Sequence, residues 1–291
     1  MLRLLAAAIL VASLAILPAY AQGSGEVAGR YKNARTGLII DLPQGWTGTD
    51  GLGFPIISPE GMVPGGKWPA VNMAIMSTST LKAKEIWQDP EYRYSLTDDA
   101  ACKELARNYV FVAKVRASEV VKECGGDDDY SKAKTYAIAT RDNIVVIRFS
   151  AESSDDYDAH IAAFEKSVRT LSLYTAVDMK AAVKKLSGMH DAALKVVDGG
   201  KKMTVRIDTT SNASNAEMDK SGFSYDVTGK KGIRGVAEVS VGAIARGPYE
   251  VTIDSKATDD FKVTKDWTAG ETLLSVNYGH DARHRVAITR L

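Results

Sequence analysis

One stretch, residues 143–174, NIVVIRFSAESSDDYDAHIAAFEKSVRTLSLY, constrains the fold more than any other. A nearly continuous apolar run at 144–149 has the composition of a central strand and hands over to a helix with visible start signals. Ser153 or Ser154 caps that helix, and Asp155 and Asp156 fall in its first turn, where the helix dipole favours acids. Tyr157, Ile161, Phe164, Val168 and Leu171 then recur at spacings of 4, 3, 4 and 3, a single apolar stripe with Asp158, Glu165 and Lys166 off it. His160 lies beside the stripe as a boundary side chain. A strand that leads into a one-sided helix lays that helix on a sheet, so the preceding residues are expected to build the sheet.

They carry the patterns for it. Residues 36–43, TGLIIDLP, read as a strand ended by Pro43, after which a turn returns Trp46 to the sheet as a core residue. Residues 70–76, 117–123, 134–140 and 144–150 read as further strands, the last two joined as a hairpin across 141–143. Between them the spacing predicts helices at 80–87 and 98–111, the second from Leu105, Tyr109 and Val112. The Gly- and Pro-rich stretch 50–69 carries Phe54, Ile56, Ile57, Met62, Val63 and Trp68. It is either a hairpin whose long tip packs on its own domain or a binding loop. Phe54, Met62 and Trp68, with Tyr92 and Tyr94 between the two expected helices, are the candidate binding residues.

The amino-terminal 21 residues have the form of an export signal. Arg3 is followed by an apolar run at 4–17 and a small-x-small cleavage site at 19–21. The run is shorter than the roughly 20 residues of a membrane helix, so cleavage, export to the periplasm or cell surface, and no further membrane span are expected. Removing Arg3 with this segment leaves 36 Lys plus Arg against 36 Asp plus Glu. An electrically balanced chain has no overall field with which to gather nucleic acid, and none is expected as a partner. In an oxidising compartment Cys102 and Cys124, about 20 residues apart, are expected to form a disulfide, which constrains the unfolded chain by about 3 kcal/mol. No CxxC spacing or nearby His favours a metal there. Asp127, Asp128 and Asp129 fail a calcium-loop template, because Lys132 stands where Gly is needed and Ile138 where the closing Glu belongs.

Residues 36–46, TGLIIDLPQGW, and 147–173, IRFSAESSDDYDAHIAAFEKSVRTLSL, together resemble the opening and closing segments of the Mog1p/PsbP-like domains, including the secreted PsbP-like ones. The resemblance covers about residues 28–174. It implies an α/β/α sandwich around a twisted antiparallel sheet, and a role in docking to other proteins or complexes in place of catalysis. It carries over no functional residue.

Residues 175–197 read as a connecting helix capped by Thr175. From residue 203 onward alternation replaces helical spacing, with seven short runs at 203–208, 222–228, 236–241, 249–255, 261–264, 271–278 and 285–290. Their inward sets include Met203, Phe223, Tyr225, Val251, Phe261, Val263, Leu274 and Val286. Seven such runs suggest an immunoglobulin-like sandwich, and 261–278 is similar to segments of β-sandwich modules on archaeal surface proteins. The expected organisation is a signal at 1–21, a leader at 22–29, the PsbP-like domain at 30–174, a helical connector at 175–200 and a β-sandwich at 201–291. The expected class is therefore α+β. Asn212 begins a glycosylation sequon.

Catalytic motifs are sparse. His280 and His284 have i, i+4 spacing, but in a turn that spacing does not assure a shared metal, and no third ligand is evident. Neither GxSxG nor a phosphate-cradling glycine loop occurs. No cofactor is implied. The expectation is an exported, non-enzymatic binding or assembly protein of the cell envelope that docks a protein partner. The alternative is a small-ligand or metal carrier using the Trp68 loop or the His280/His284 pair.

Overall fold

The computed structural model describes residues 26–50, 54–61, 69–79, 102–124, 130–232, 234–241 and 248–291. The expected signal, the helix at 80–87, the acidic turn at 127–129, and Met62, Trp68, Tyr92 and Tyr94 lie outside the described residues. The first part of the chain supplies β1 (Glu26–Ala28), β2 (Arg30–Asn33), β3 (Leu38–Asp41), β4 (Trp46–Thr49), β5 (Ile56–Pro59), β6 (Val71–Ser79), β7 (Cys102–Val112), β8 (Val115–Cys124), β9 (Lys132–Thr140) and β10 (Asn143–Ala151). Then come α1 (Ser154–Arg169), β11 (Ser172–Leu173), β12 (Ala176–Val177) and α2 (Met179–Leu186). The remainder is β13 (His190–Asp198), β14 (Lys201–Thr209), β15 (Asn212–Met218), β16 (Gly222–Thr228), β17 (Gly235–Ser240), β18 (Tyr249–Ile253), β19 (Lys256–Ala257), β20 (Phe261–Asp266), β21 (Glu271–Tyr278) and β22 (His284–Arg290). β1 falls inside the stretch read as a leader.

One sheet of 14 strands runs through both halves in the order β1-β4-β5-β6-β10-β9-β8-β7-β20-β21-β17-β14-β13, with β12 beside β9. All its pairings are antiparallel except β7 with β20, a short parallel ladder that joins Asn108 to Lys265 and Tyr109 to Asp266. A sheet of β11-β3-β2 and one of β15-β16-β22-β18-β19 are the others among the described residues.

The chain is thus a large multi-sheet, strand-dominated fold with two helices among its described residues. It is not an α/β/α sandwich with a helical connector, and two readings fail for physical reasons. Residues 102–112 form β7, where a register shift between Glu104 and Ala106 turns Leu105 outward, 45% exposed. Tyr109 and Val112 then lie in different apolar clusters on opposite faces of the sheet, although their spacing would place them together on a helix. The connecting helix stops after eight residues, because Gly188 adopts φ +73 and ends it, and the chain continues as β13.

Three apolar clusters hold the fold. In the first, α1 lies on β6, β9 and β10. Ser153 caps it by accepting from the Asp156 amide at 3.0 Å. Its stripe places Tyr157, Phe164 and Val168 against Phe149, whose ring is 5.2 Å from Phe164, 5.3 Å from Tyr157 and 6.2 Å from Trp46. Each such aromatic contributes about 1.5–3 kcal/mol by leaving water. The second cluster lies between two sheets, with Val205, Ile207, Val239, Leu274 and Val276 facing Phe223, Tyr225, Val251, Val286 and Ile288. Two of the expected inward residues differ: Met203 and Val263 are each 39% exposed. The third is formed where α2 applies Met179, Val183 and Leu186 to Tyr109, Ala137, Ile144, Val146 and Leu273. Because Leu273 belongs to β21, this cluster spans the join between the halves.

Candidate interaction surface

The join combines a buried ion-pair anchor with two exposed aromatic side chains. β7 and β8 turn tightly through Ala113 and Lys114, both at positive φ (51 and 65), which brings Arg116 back opposite Phe111. The Arg116 Nε donates to Thr268 Oγ1 at 2.7 Å and lies 3.6 Å from both Asp266 and Asp178. Asp266 is fully buried and its Oδ1 accepts from the Thr268 hydroxyl at 2.6 Å and the Thr268 and Ala269 amides at 3.0 and 3.2 Å. Asp178 caps α2 through the Ala181 amide at 2.9 Å. One guanidinium therefore ties β8, the β20–β21 turn and the start of α2. The other oxygen, Oδ2, is buried without a hydrogen bond, so the carboxylate needs that cation close by.

At the rim of this anchored region stand two aromatic side chains with little cover. Phe111 is 69% and Trp267 63% exposed. The Trp267 amide donates to the Tyr109 carbonyl at 3.0 Å, extending the parallel ladder by one step, so Trp267 is fixed to β7 two residues from Phe111. The Lys265 ammonium lies 5.6 Å from the Trp267 ring centroid. Large aromatics are normally buried, and rigidly mounted exposed ones are the usual anchors of protein interfaces.

Of the residues singled out in the sequence, Phe54 is half-buried just ahead of β5. Cys102 and Cys124 form a disulfide. They face each other across neighbouring antiparallel strands with Cα atoms 4.2 Å apart, so the bridge pins strand to strand and not helix to sheet. His280 and His284 are drawn into separate networks. His280 is buried, its Nε2 2.6 Å from Ser211 Oγ. Ser211 in turn accepts from Tyr278 at 3.0 Å, and Tyr278 meets Thr209 at 3.0 Å. The His284 Nδ1 and Nε2 lie 2.7 Å from Asp254 and 2.7 Å from Asp281. The hydrogen bond that His284 donates to Asp254 raises its pKa above the usual 6.5, against the opposing effect of burial and with help from Asp281. A His whose two nitrogens both donate to carboxylates has no lone pair for a metal. Among the described residues no group of three or more His, Cys, Asp or Glu has metal-site geometry.

A further polar cluster joins α1 to the sheet. The Lys134 ammonium bonds Glu165 at 2.6 Å and Glu119 at 3.0 Å, and Glu119 accepts from Asn108 at 2.7 Å. Burial pushes the Glu119 carboxyl up, but Asn108 and Lys134 outweigh it and hold it below the usual range. Burial also pushes the Tyr157 hydroxyl up to about 12. These shifts follow from closing α1 over charged groups that already satisfy one another.

Sequence reasoning missed Phe111, Arg116, Asp266 and Trp267. Phe111 fell at the end of the expected helix. The alternation of 261–266 into a turn marked the place of Trp267 but not its exposure.

No protein-family profile matches the chain, and no curated protein matches it. Among solved structures, it is similar to the solution structure of cyanobacterial PsbP from Synechocystis sp. PCC 6803, with a TM-score of 0.33 and 12% identity, over 55% of this chain and 99% of that one. No helix among the described residues is long and apolar enough to cross a membrane.

Proposed function

We propose that this chain is an exported, non-enzymatic binding or assembly protein of the cell envelope, which docks a protein partner on the rim of the join between its halves. The observation that carries this reading is the pair Phe111 and Trp267, exposed side chains carried on backbone that the β7–β20 ladder and the neighbouring Arg116–Thr268 bond hold in place. A backbone already fixed before binding need not be ordered on association, so more of the apolar area of the two rings counts towards affinity. The expected signal at residues 1–21 and the Cys102–Cys124 disulfide are consistent with an oxidising compartment. The partner surface is apolar where it meets the two rings and accepts a neighbouring cation at Lys265.

Protein lacking residues 1–21 is immobilised and incubated with envelope extract, and retained proteins are identified by mass spectrometry. The expected result is one defined partner, lost from the Phe111→Ala/Trp267→Ala double variant although that variant melts at the same temperature as the parent. A partner retained equally by both proteins would remove the rim from the account.

A further inference from the structure

A second surface lies at the far end of the large sheet, away from the rim. β13 and β14 form a hairpin through Gly199 and Gly200, at φ +55 and +82. Leu194, Val196, Val205 and Ile207 point into the second core. Alternation therefore sets Ala193, Lys195, Val197, Lys202, Thr204 and Arg206 outward, and all six are exposed. Residues 179–208 hold seven Lys or Arg against three Asp, in a chain whose net charge is only +1. Two of those acids, Asp191 and Asp208, are held by Lys184 at 2.5 and 2.7 Å. Arg206 adds a longer-range attraction on Asp191, while Lys195 and Lys202 form no ion pair among the described residues.

We propose that the outer face of this hairpin binds an extended acidic segment of a partner protein. The spacing argues for an extended chain. Same-face residues on a strand repeat every 6.6–6.8 Å or so, and carboxylates at alternate positions of a second extended chain repeat at about the same distance. Such a segment lying along β13 meets Lys195, with Arg206 and Lys202 on the next strand to either side of it. β13 also ends the sheet: no strand pairs with its outer side among the described residues. β15 runs beside it on the core side, where Ala192, Ala213 and Ala216 pack, and leaves the Lys195 face open. Asp191 and Asp208 at the base, both held by Lys184, limit the free cations to a short strip, which suits a narrow acidic strand better than a broad anionic membrane.

Fluorescence anisotropy with a labelled peptide of Glu alternating with Thr tests this on the chain lacking residues 1–21. The peptide is expected to bind, to weaken as salt rises, and to lose about tenfold or more in affinity to the K195E/K202E/R206E variant. The Lys195→Gln/Lys202→Gln/Arg206→Gln variant is expected to fall between, and Phe111→Ala/Trp267→Ala to bind as the parent does. A peptide of the same composition with its Glu residues in one block should bind several-fold more weakly. The proposal is overturned by no peptide binding at low salt, by undiminished binding to the folded charge-reversed variant, or by equal affinity for both peptides. It is also overturned if the protein binds phosphatidylglycerol vesicles and neither peptide, which would assign this face to a membrane. None of these outcomes depends on whether the aromatic rim has a partner.

Discussion

The two halves of the molecule close the same large sheet in different ways. The first half covers it with α1 and buries a stack of aromatic rings, Trp46, Phe149, Tyr157 and Phe164. The second covers it with another sheet and fills the gap largely with branched aliphatic side chains, running a buried polar chain of Thr209, Tyr278, Ser211 and His280 along one side. A helix meets a sheet through side chains of varied length, so bulky rings fit. Two sheets face each other at about 10 Å, and where a ring must fit close to the strands, the backbone has to give way by losing its Cβ. That is the position of His280, whose ring lies against Gly229 and Gly235 so closely that a Cβ on either would overlap it. The first core is limited by how well rings stack, and the second by how closely backbone can approach.

The largest effect that would break this comparison is in the ring stack. Phe149→Ala is expected to cost about 3–5 kcal/mol, seen as a lower midpoint in denaturant. A loss below about 1 kcal/mol would show that α1 repacks freely over the cavity. Arg116→Ala removes the cation facing the buried Asp266 and is expected to cost about 2–3 kcal/mol. It should also split a single calorimetric transition into two, since Arg116 ties the halves; one unsplit transition would mean that the third apolar cluster suffices alone. Gly229→Ala is expected to cost about 1–3 kcal/mol by overpacking. In the His280→Ala background most of that cost should vanish, because the His280 ring supplies the atoms nearest to the added methyl group; an equal cost in both backgrounds would assign the strain to the backbone and not to the ring.

The smallest effect is electrostatic. The pKa of His284 is raised in the folded chain by Asp254 and Asp281, so its stabilisation is complete below the unfolded value near 6.5. It fades as pH rises through the folded value. Stability measured across that window should decline in the parent but stay flatter in His284→Gln. A parallel decline in both would remove His284 as its source.

Part of this was readable in the sequence. The capped stripe of Tyr157, Phe164 and Val168 marked the start of α1 at Ser153 and Ser154, although its last member, Leu171, lies two residues past the helix end, and from β14 onward alternation located every strand but β15 and β19. The helix expected at 98–111 failed because Leu105, Tyr109 and Val112 share no face: the bulge leaves Leu105 exposed and the strand sends Tyr109 and Val112 to opposite sides. Its turn at Ala113 and Lys114 also lacked the Gly or Asn that marks most tight hairpins. The reach of the large sheet through both halves was not readable, since it depends on two ladder positions between β7 and β20 that are over 150 residues apart. The rim was missed for the same reason. Phe111 and Trp267 look like core residues until the pairing that brings them together is known.

The central claim is that this rim docks a partner. A photo-reactive phenylalanine analogue placed at position 267, at position 111, or at the distant exposed position of Glu250 on β18 tests it in intact cells under illumination. An adduct of one defined mass from positions 267 and 111, and none from 250, is the expected result. No adduct at the rim, or the same adduct at all three positions, would contradict it.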